Sequence, residues 1–109
     1  MRLWMVDPGI MCDRHLLGEH YECHMFAGCI EKGKSLKGYL RKNLFDPASL
    51  TERHDRLVKE MEARGFRHRS PLPAYGGVSN PIDASRSLSA LLSRCAECRR
   101  RHKKAAFSK

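Results

Sequence analysis

Apolar side chains recur at helical spacing in three stretches of the chain. Leu16, Cys23, Ala27 and Ile30 form the first stripe. Asp13 is a good N-cap residue and Gly33 a plausible stop, so this spacing predicts a helix from about Asp13 to about Lys32. Leu50, His54, Leu57, Val58 and Met61 form the second stripe; Asp46-Pro47 opens it and Gly65 ends it. Leu88, Leu91, Leu92 and Cys95 form the third, on a helix from about Ile82 or Asp83 to about His102. Lys34 to Phe45 reads as a loop with one short helical turn. Arg67 to Pro81 reads as a longer loop, because it holds Pro71, Pro73, Pro81 and Gly76-Gly77. Met1 to Val6 has no strand partner nearby, and is read as an extended arm packed on the core before the Asp7-Pro8-Gly9 turn. The expected fold is all-α: one compact domain over residues 1–109, with three main helices and a basic C-terminal end flexible from about residue 99.

A second, polar stripe runs beside the apolar face of the first helix. His15, Glu19 and Glu22 lie four and three residues apart, so they share one side, and Phe26 continues the line. Two carboxylates and an imidazole at the edge of a buried face are costly to desolvate unless they are paired or used.

Charge narrows the partners. Lys and Arg number 21 against 12 Asp and Glu, a formal net charge of +9. Arg94, Arg99, Arg100, Arg101, Lys103 and Lys104 concentrate the surplus near the C-terminus. A polyanionic partner follows, nucleic acid before an anionic membrane surface. No apolar run approaches the roughly twenty residues of a membrane span, and Asp7 and Pro8 interrupt any signal-like segment. The expectation is a cytoplasmic, monomeric protein with no membrane partner.

Five cysteines, an odd number, argue against a disulfide framework in that setting. Cys95-x-x-Cys98 with His102 has partial zinc-ligand spacing, and Cys12-x-x-His15 is a second fragment of that kind. Three ligands on one helix is an odd arrangement, so packing and surface thiols are the preferred reading and no metal is expected. His20, His24 and His54 are read as packing residues. Tyr75, beside two glycines, is read as a packing residue, with base stacking as the alternative.

His15-Leu-x-x-Glu19-x-x-Glu22 resembles the first-helix motif of the phage pyrimidine-dimer DNA glycosylases of the endonuclease V type. The distance from the chain start to the motif agrees, and Arg2 falls where the family has an Arg. Arg53 to Phe66, ending in Arg-Gly-Phe, is similar to that family's second helix, and Asp83-Ala84-Ser85 to the opening of its last long helix. The resemblance implies a three-helix bundle with the N-terminal arm threaded between the helices. It implies a glycosylase and AP lyase acting on double-stranded damaged DNA without a cofactor. The α-amine of Met1 then attacks C1′ of the damaged nucleotide, and Glu22 assists β-elimination. Arg2 and His15 fall on active-site positions, and Glu19 supports them.

The residue types suit this chemistry. An imine-forming nucleophile must be neutral, and an α-amine, with a reference pKa near 7.7–8.0, is neutral in roughly a tenth of molecules at pH 7. A lysine is neutral in less than about a thousandth. A carboxylate within reach can take the C2′ proton that an imine makes acidic. Lys32, Lys34, Lys37, Arg94 and Arg99, with Arg2, are the candidate phosphate contacts. Where a member of the family has two arginines flanking the glutamate, this chain has Tyr21 and Met25. An aromatic C-terminal tail is replaced by Cys95-Ala-Glu-Cys98-Arg-Arg-Arg-His102. Two other readings stay open: a non-catalytic basic helical module for DNA or RNA, and a small zinc-binding interaction domain built on Cys95 and Cys98.

Overall fold

The structure is a computed structural model that describes residues 1–68 and 70–107. Among these residues it is built from helices and connecting segments: α1 (Asp13–Glu31), α2 (Lys37–Arg41), α3 (Leu50–Ala63), α4 (Ala84–Arg94) and α5 (Ala96–Phe107). Short 3-10 turns at Pro8–Ile10 and Pro47–Ser49 lead into α1 and α3. The all-α expectation holds, but the third main helix is two helices.

α1 packs along α3, and their facing stripes supply much of the core. Leu16, Cys23, Phe26, Leu50, Leu57 and Met61 are buried there. Leu91 of α4 and Phe45 close it. Phe26 belongs to this core rather than to the polar stripe. Its ring stacks on Phe45 with centroids 4.1 Å apart, and Tyr39 of α2 meets it edge-on. The reason is tertiary: the segment after α1 folds back over its C-terminal half.

The helix ends follow the local chemistry, with small shifts. Cys12, not Asp13, is the N-cap of α1, its sulfur accepting from the His15 amide. Gly33 and Gly65 take φ of +67° and +88° just past α1 and α3, backbone conformations that suit glycine. Asn43 also adopts φ +58°. Its amide donates to the Pro81 carbonyl at 3.0 Å and its oxygen accepts from the Asp83 amide at 2.9 Å, which anchors the start of α4.

Among its described residues, the proline-rich segment between α3 and α4 has no helix, as expected, and it is strapped down. Thr51 donates to the Pro73 carbonyl at 2.7 Å and accepts from the Tyr75 amide at 3.2 Å. Asn80 donates to the Leu40 and Phe45 carbonyls and, through its amide, to Asp46. Tyr75 donates its hydroxyl to Glu31 at 2.6 Å, so it joins the loop to the end of α1.

The break between α4 and α5 falls at Cys95, with φ −129° and ψ 112°. Neither proline nor glycine marks it. The extended residue turns its sulfur inward, to 3.8 Å from the Cys12 sulfur. Residues 99–107 continue as helix rather than as a flexible tail; 108 and 109 lie outside the described residues.

Candidate active site

The arm is apolar where it must be. Leu3, Trp4 and Val6 are buried, and Met5 bends the chain with φ +56°. Three backbone groups of the arm are held from three sides. The Leu3 amide donates to the Leu44 carbonyl at 2.8 Å. The Trp4 carbonyl accepts from the Ser87 hydroxyl of α4, and the Val6 carbonyl from Arg53 Nη1 of α3 at 2.8 Å. These ties set the first residue against the middle of α1.

There the Met1 nitrogen lies 3.9 Å from Glu22 Oε1. The Met1 side chain is 11% exposed and that of Glu22 27%, so the pair sits at a sheltered edge that solvent and a ligand can reach. Burial pushes the Glu22 carboxyl above its ordinary range, and Glu19 adds to that. The terminal ammonium, the Arg2 backbone amide and the Arg2 charge pull it back.

Glu19 sits one turn away in a different environment. Both its oxygens are taken by Arg53, at 2.6 Å from Nε and 2.9 Å from Nη2, and the pair is fully buried. Arg53 completes its set with the Val6 carbonyl and the Met11 sulfur. Such a bidentate pair, with its remaining donors satisfied, holds geometry rather than offering a free base. The Glu19–Arg53 pair is therefore the bolt that joins α1, α3 and the arm. Periodicity places Arg53 only on a helix, and says nothing of this role.

Arg2 stacks on Trp4, its guanidinium carbon 3.9 Å from the ring centroid, and donates to Ser87 at 3.2 Å. Arg94 approaches the same ring at 5.9 Å. Arg2, Lys42, Arg86 and Arg94 line a cavity of about 160 Å³ beside the arm. Of the candidate phosphate contacts, the fold brings Arg2 and Arg94 together here. Lys32, Lys34 and Lys37 are exposed around the C-terminal end of α1 and on α2, and Arg99 is exposed on α5; none lines this cavity. Lys42 and Arg86 join the wall although no motif marks them. Charge density alone does not say which cations share a wall.

His15 turns toward a group of cysteines. Its Nδ1 lies 3.2 Å from the Cys12 sulfur and 3.7 Å from that of Cys98, and its ring meets Trp4 edge-on at 5.9 Å. Cys95 completes this group: one donor atom from each of Cys12, His15, Cys95 and Cys98 lies within 4.8 Å of every other. His102 is not part of it; it lines a cavity of about 400 Å³ with Met5, Val6 and Ile10. A second group has no counterpart among the sequence-predicted sites. His20, His24, His54 and His68 also bring one nitrogen each within 4.8 Å of the others. The i, i+4 spacing of His20 and His24 is the one local signal of it. Burial, then the neighbouring imidazoles, push His20 down to about 4.

The match to known proteins falls on this architecture. A sequence model described as pyrimidine dimer DNA glycosylase matches residues 1–74, which include the arm, α1 and α3. No curated protein and no solved structure matches the chain. Since the matched segment covers most of the 109 residues, the chain belongs to the pyrimidine dimer DNA glycosylase family.

Proposed function

We propose that this protein is a DNA glycosylase with AP lyase activity that uses the α-amine of Met1 as nucleophile and Glu22 as the assisting carboxylate. One observation carries the reading: the Met1 nitrogen lies 3.9 Å from Glu22 on a sheltered edge. The neutral amine attacks C1′ as the glycosidic bond breaks, the base leaving with the bonding electrons and taking up a proton. The amine loses a proton and the sugar ring opens, giving an imine. That imine makes the C2′ hydrogen acidic. Glu22 accepts this proton, and the electron pair moves to expel the phosphate at C3′. Water then hydrolyses the imine and frees the amine. Before that, the Glu22 carboxylate stabilises the cationic sugar through space.

The substrate is double-stranded DNA carrying a pyrimidine dimer. A base inside a duplex is out of reach, so the strand must be bent or its nucleotide turned out. The Arg2, Lys42, Arg86 and Arg94 wall supplies phosphate contacts beside the arm that carries the amine. Arg2, stacked on Trp4 and tied to Ser87, positions the first residue. Glu19, saturated by Arg53, and His15, held against the Cys12 and Cys98 sulfurs, take no part in the proton transfers.

Borohydride trapping tests the mechanism. Incubation with dimer-containing or abasic duplex gives a covalent protein–DNA adduct, with an intact-mass measurement fixing the first residue. Acetylation of the α-amine, or one extra residue before Met1, abolishes it. An undiminished adduct after blocking removes the terminal amine from the reaction.

A further inference from the structure

We propose that the protein binds two zinc ions, one in each of the four-residue groups that flank α1. The first group is Cys12, His15, Cys95 and Cys98. Ligands in a tetrahedron at zinc distances stand about 3.8 Å apart for two sulfurs and about 3.5 Å for sulfur and nitrogen. Here the Cys12 and Cys95 sulfurs are 3.8 Å apart, and His15 Nδ1 is 3.2 and 3.7 Å from the sulfurs of Cys12 and Cys98. Three backbone amides point at these sulfurs: Cys12 at Cys98 Sγ (3.2 Å), His15 at Cys12 Sγ (3.5 Å) and Cys98 at Cys95 Sγ (3.4 Å). Such donors stabilise thiolates, the form that binds metal. The unsignalled break in the helix at Cys95 is what brings its sulfur into the set.

The second group rests on separate evidence. His20 and His24 of α1, His54 of α3 and His68 beyond α3 face one another, with five ring pairs at centroid distances of 4.9 to 5.1 Å. Four imidazoles sharing a tetrahedral zinc through Nε2 place their centroids at about 5 Å. Among the described residues, six buried side-chain polar atoms lack a partner, and four of them are the Nε2 atoms of these histidines. Buried polar atoms are rarely orphaned, and a shared ion accounts for all four at once. The outer nitrogen of His54 is arranged as in metal sites: Nδ1 meets Asp55 Oδ1 at 2.9 Å. Soft thiolates with one imidazole select zinc, and a tetrahedral imidazole set accepts it. One ion joins the start of α1 to the α4–α5 joint; the other joins α1 to α3 and the segment after it.

Metal analysis of untagged full-length protein, dialysed against zinc and then buffer, gives two equivalents. The Cys95→Ser/Cys98→Ser variant and the His54→Ala variant each give one. In cobalt-substituted wild type, one equivalent shows sulfur-to-metal charge-transfer absorption and the second adds only ligand-field bands. Metal-free wild type overturns the proposal. Retention of two equivalents in either variant removes that group as a site. Should either variant fail to fold, the cobalt titration decides: no charge-transfer band eliminates the cysteine site, and saturation at one equivalent that carries this band eliminates the histidine site. None of these readings depends on glycosylase activity.

Discussion

Glu19 and Glu22 stand one turn apart on α1 and live in opposite environments. Glu19 is sealed, with both oxygens on Arg53 and neither side chain touching water. Glu22 is part-buried at an edge, and faces the terminal nitrogen at 3.9 Å, longer than a hydrogen bond. The difference teaches how one helix serves two purposes. A carboxylate saturated by a bidentate cation is a fastener. A carboxylate with an incomplete set of partners keeps capacity for a proton, and the fastener beside it fixes where the arm ends.

Breaking the fastener has the largest expected effect. Glu19→Gln leaves the Arg53 guanidinium buried without its counter-charge, and unfolding titrations should show a loss of about 3–5 kcal/mol. Trapped adduct should fall with it, because Arg53 also holds the Val6 carbonyl. Glu22→Gln should act the other way round: strand cleavage of an abasic duplex falls by roughly 100-fold or more, while the melting temperature and duplex binding persist. If cleavage survives intact, Glu22 serves the fold alone.

Two smaller effects sharpen the contrast. Replacing both Arg86 and Arg94 by Ala should weaken binding across duplex sequences. The slope of log affinity against log salt should become shallower by about 1 for each phosphate that is no longer neutralised. A third carboxylate of α1, Asp13, pairs with Arg64 at 2.9 Å but is 64% exposed. Asp13→Ala should cost less than about 1 kcal/mol in the same unfolding titration, against several for Glu19, because water screens an exposed pair.

Much of this is legible in the residue pattern. The span of α1, the end of α3 before Gly65, the short helical turn that is α2, and the cap at Asp83 follow from periodicity, capping chemistry and glycine placement; α3 itself starts at Leu50, three residues later than Asp46-Pro47 suggests, because Pro47–Ser49 form a 3-10 turn first. The motif His15-Leu-x-x-Glu19-x-x-Glu22, with its distance from the first residue, points to the family. Other features are hidden. The third helix has continuous helical spacing, so nothing local announces the break at Cys95; it arises from what its sulfur meets. Phe26 sits at a polar register position and is buried because Phe45 and Tyr39 fold over it. His68 lies beyond α3 in sequence, so no helical spacing links it to His20 or His24.

The sequence by itself determined what depends on neighbours along the chain: which segments are helical, where most of them begin and end, and that one polar stripe borders an apolar one. Tertiary structure alone decided which polar group meets which. Arg53 with Glu19, Met1 with Glu22, and the two four-residue groups join positions far apart in the chain. Their pairing is set by how the helices pack, and burial makes each contact strong by removing the water that would otherwise compete for it.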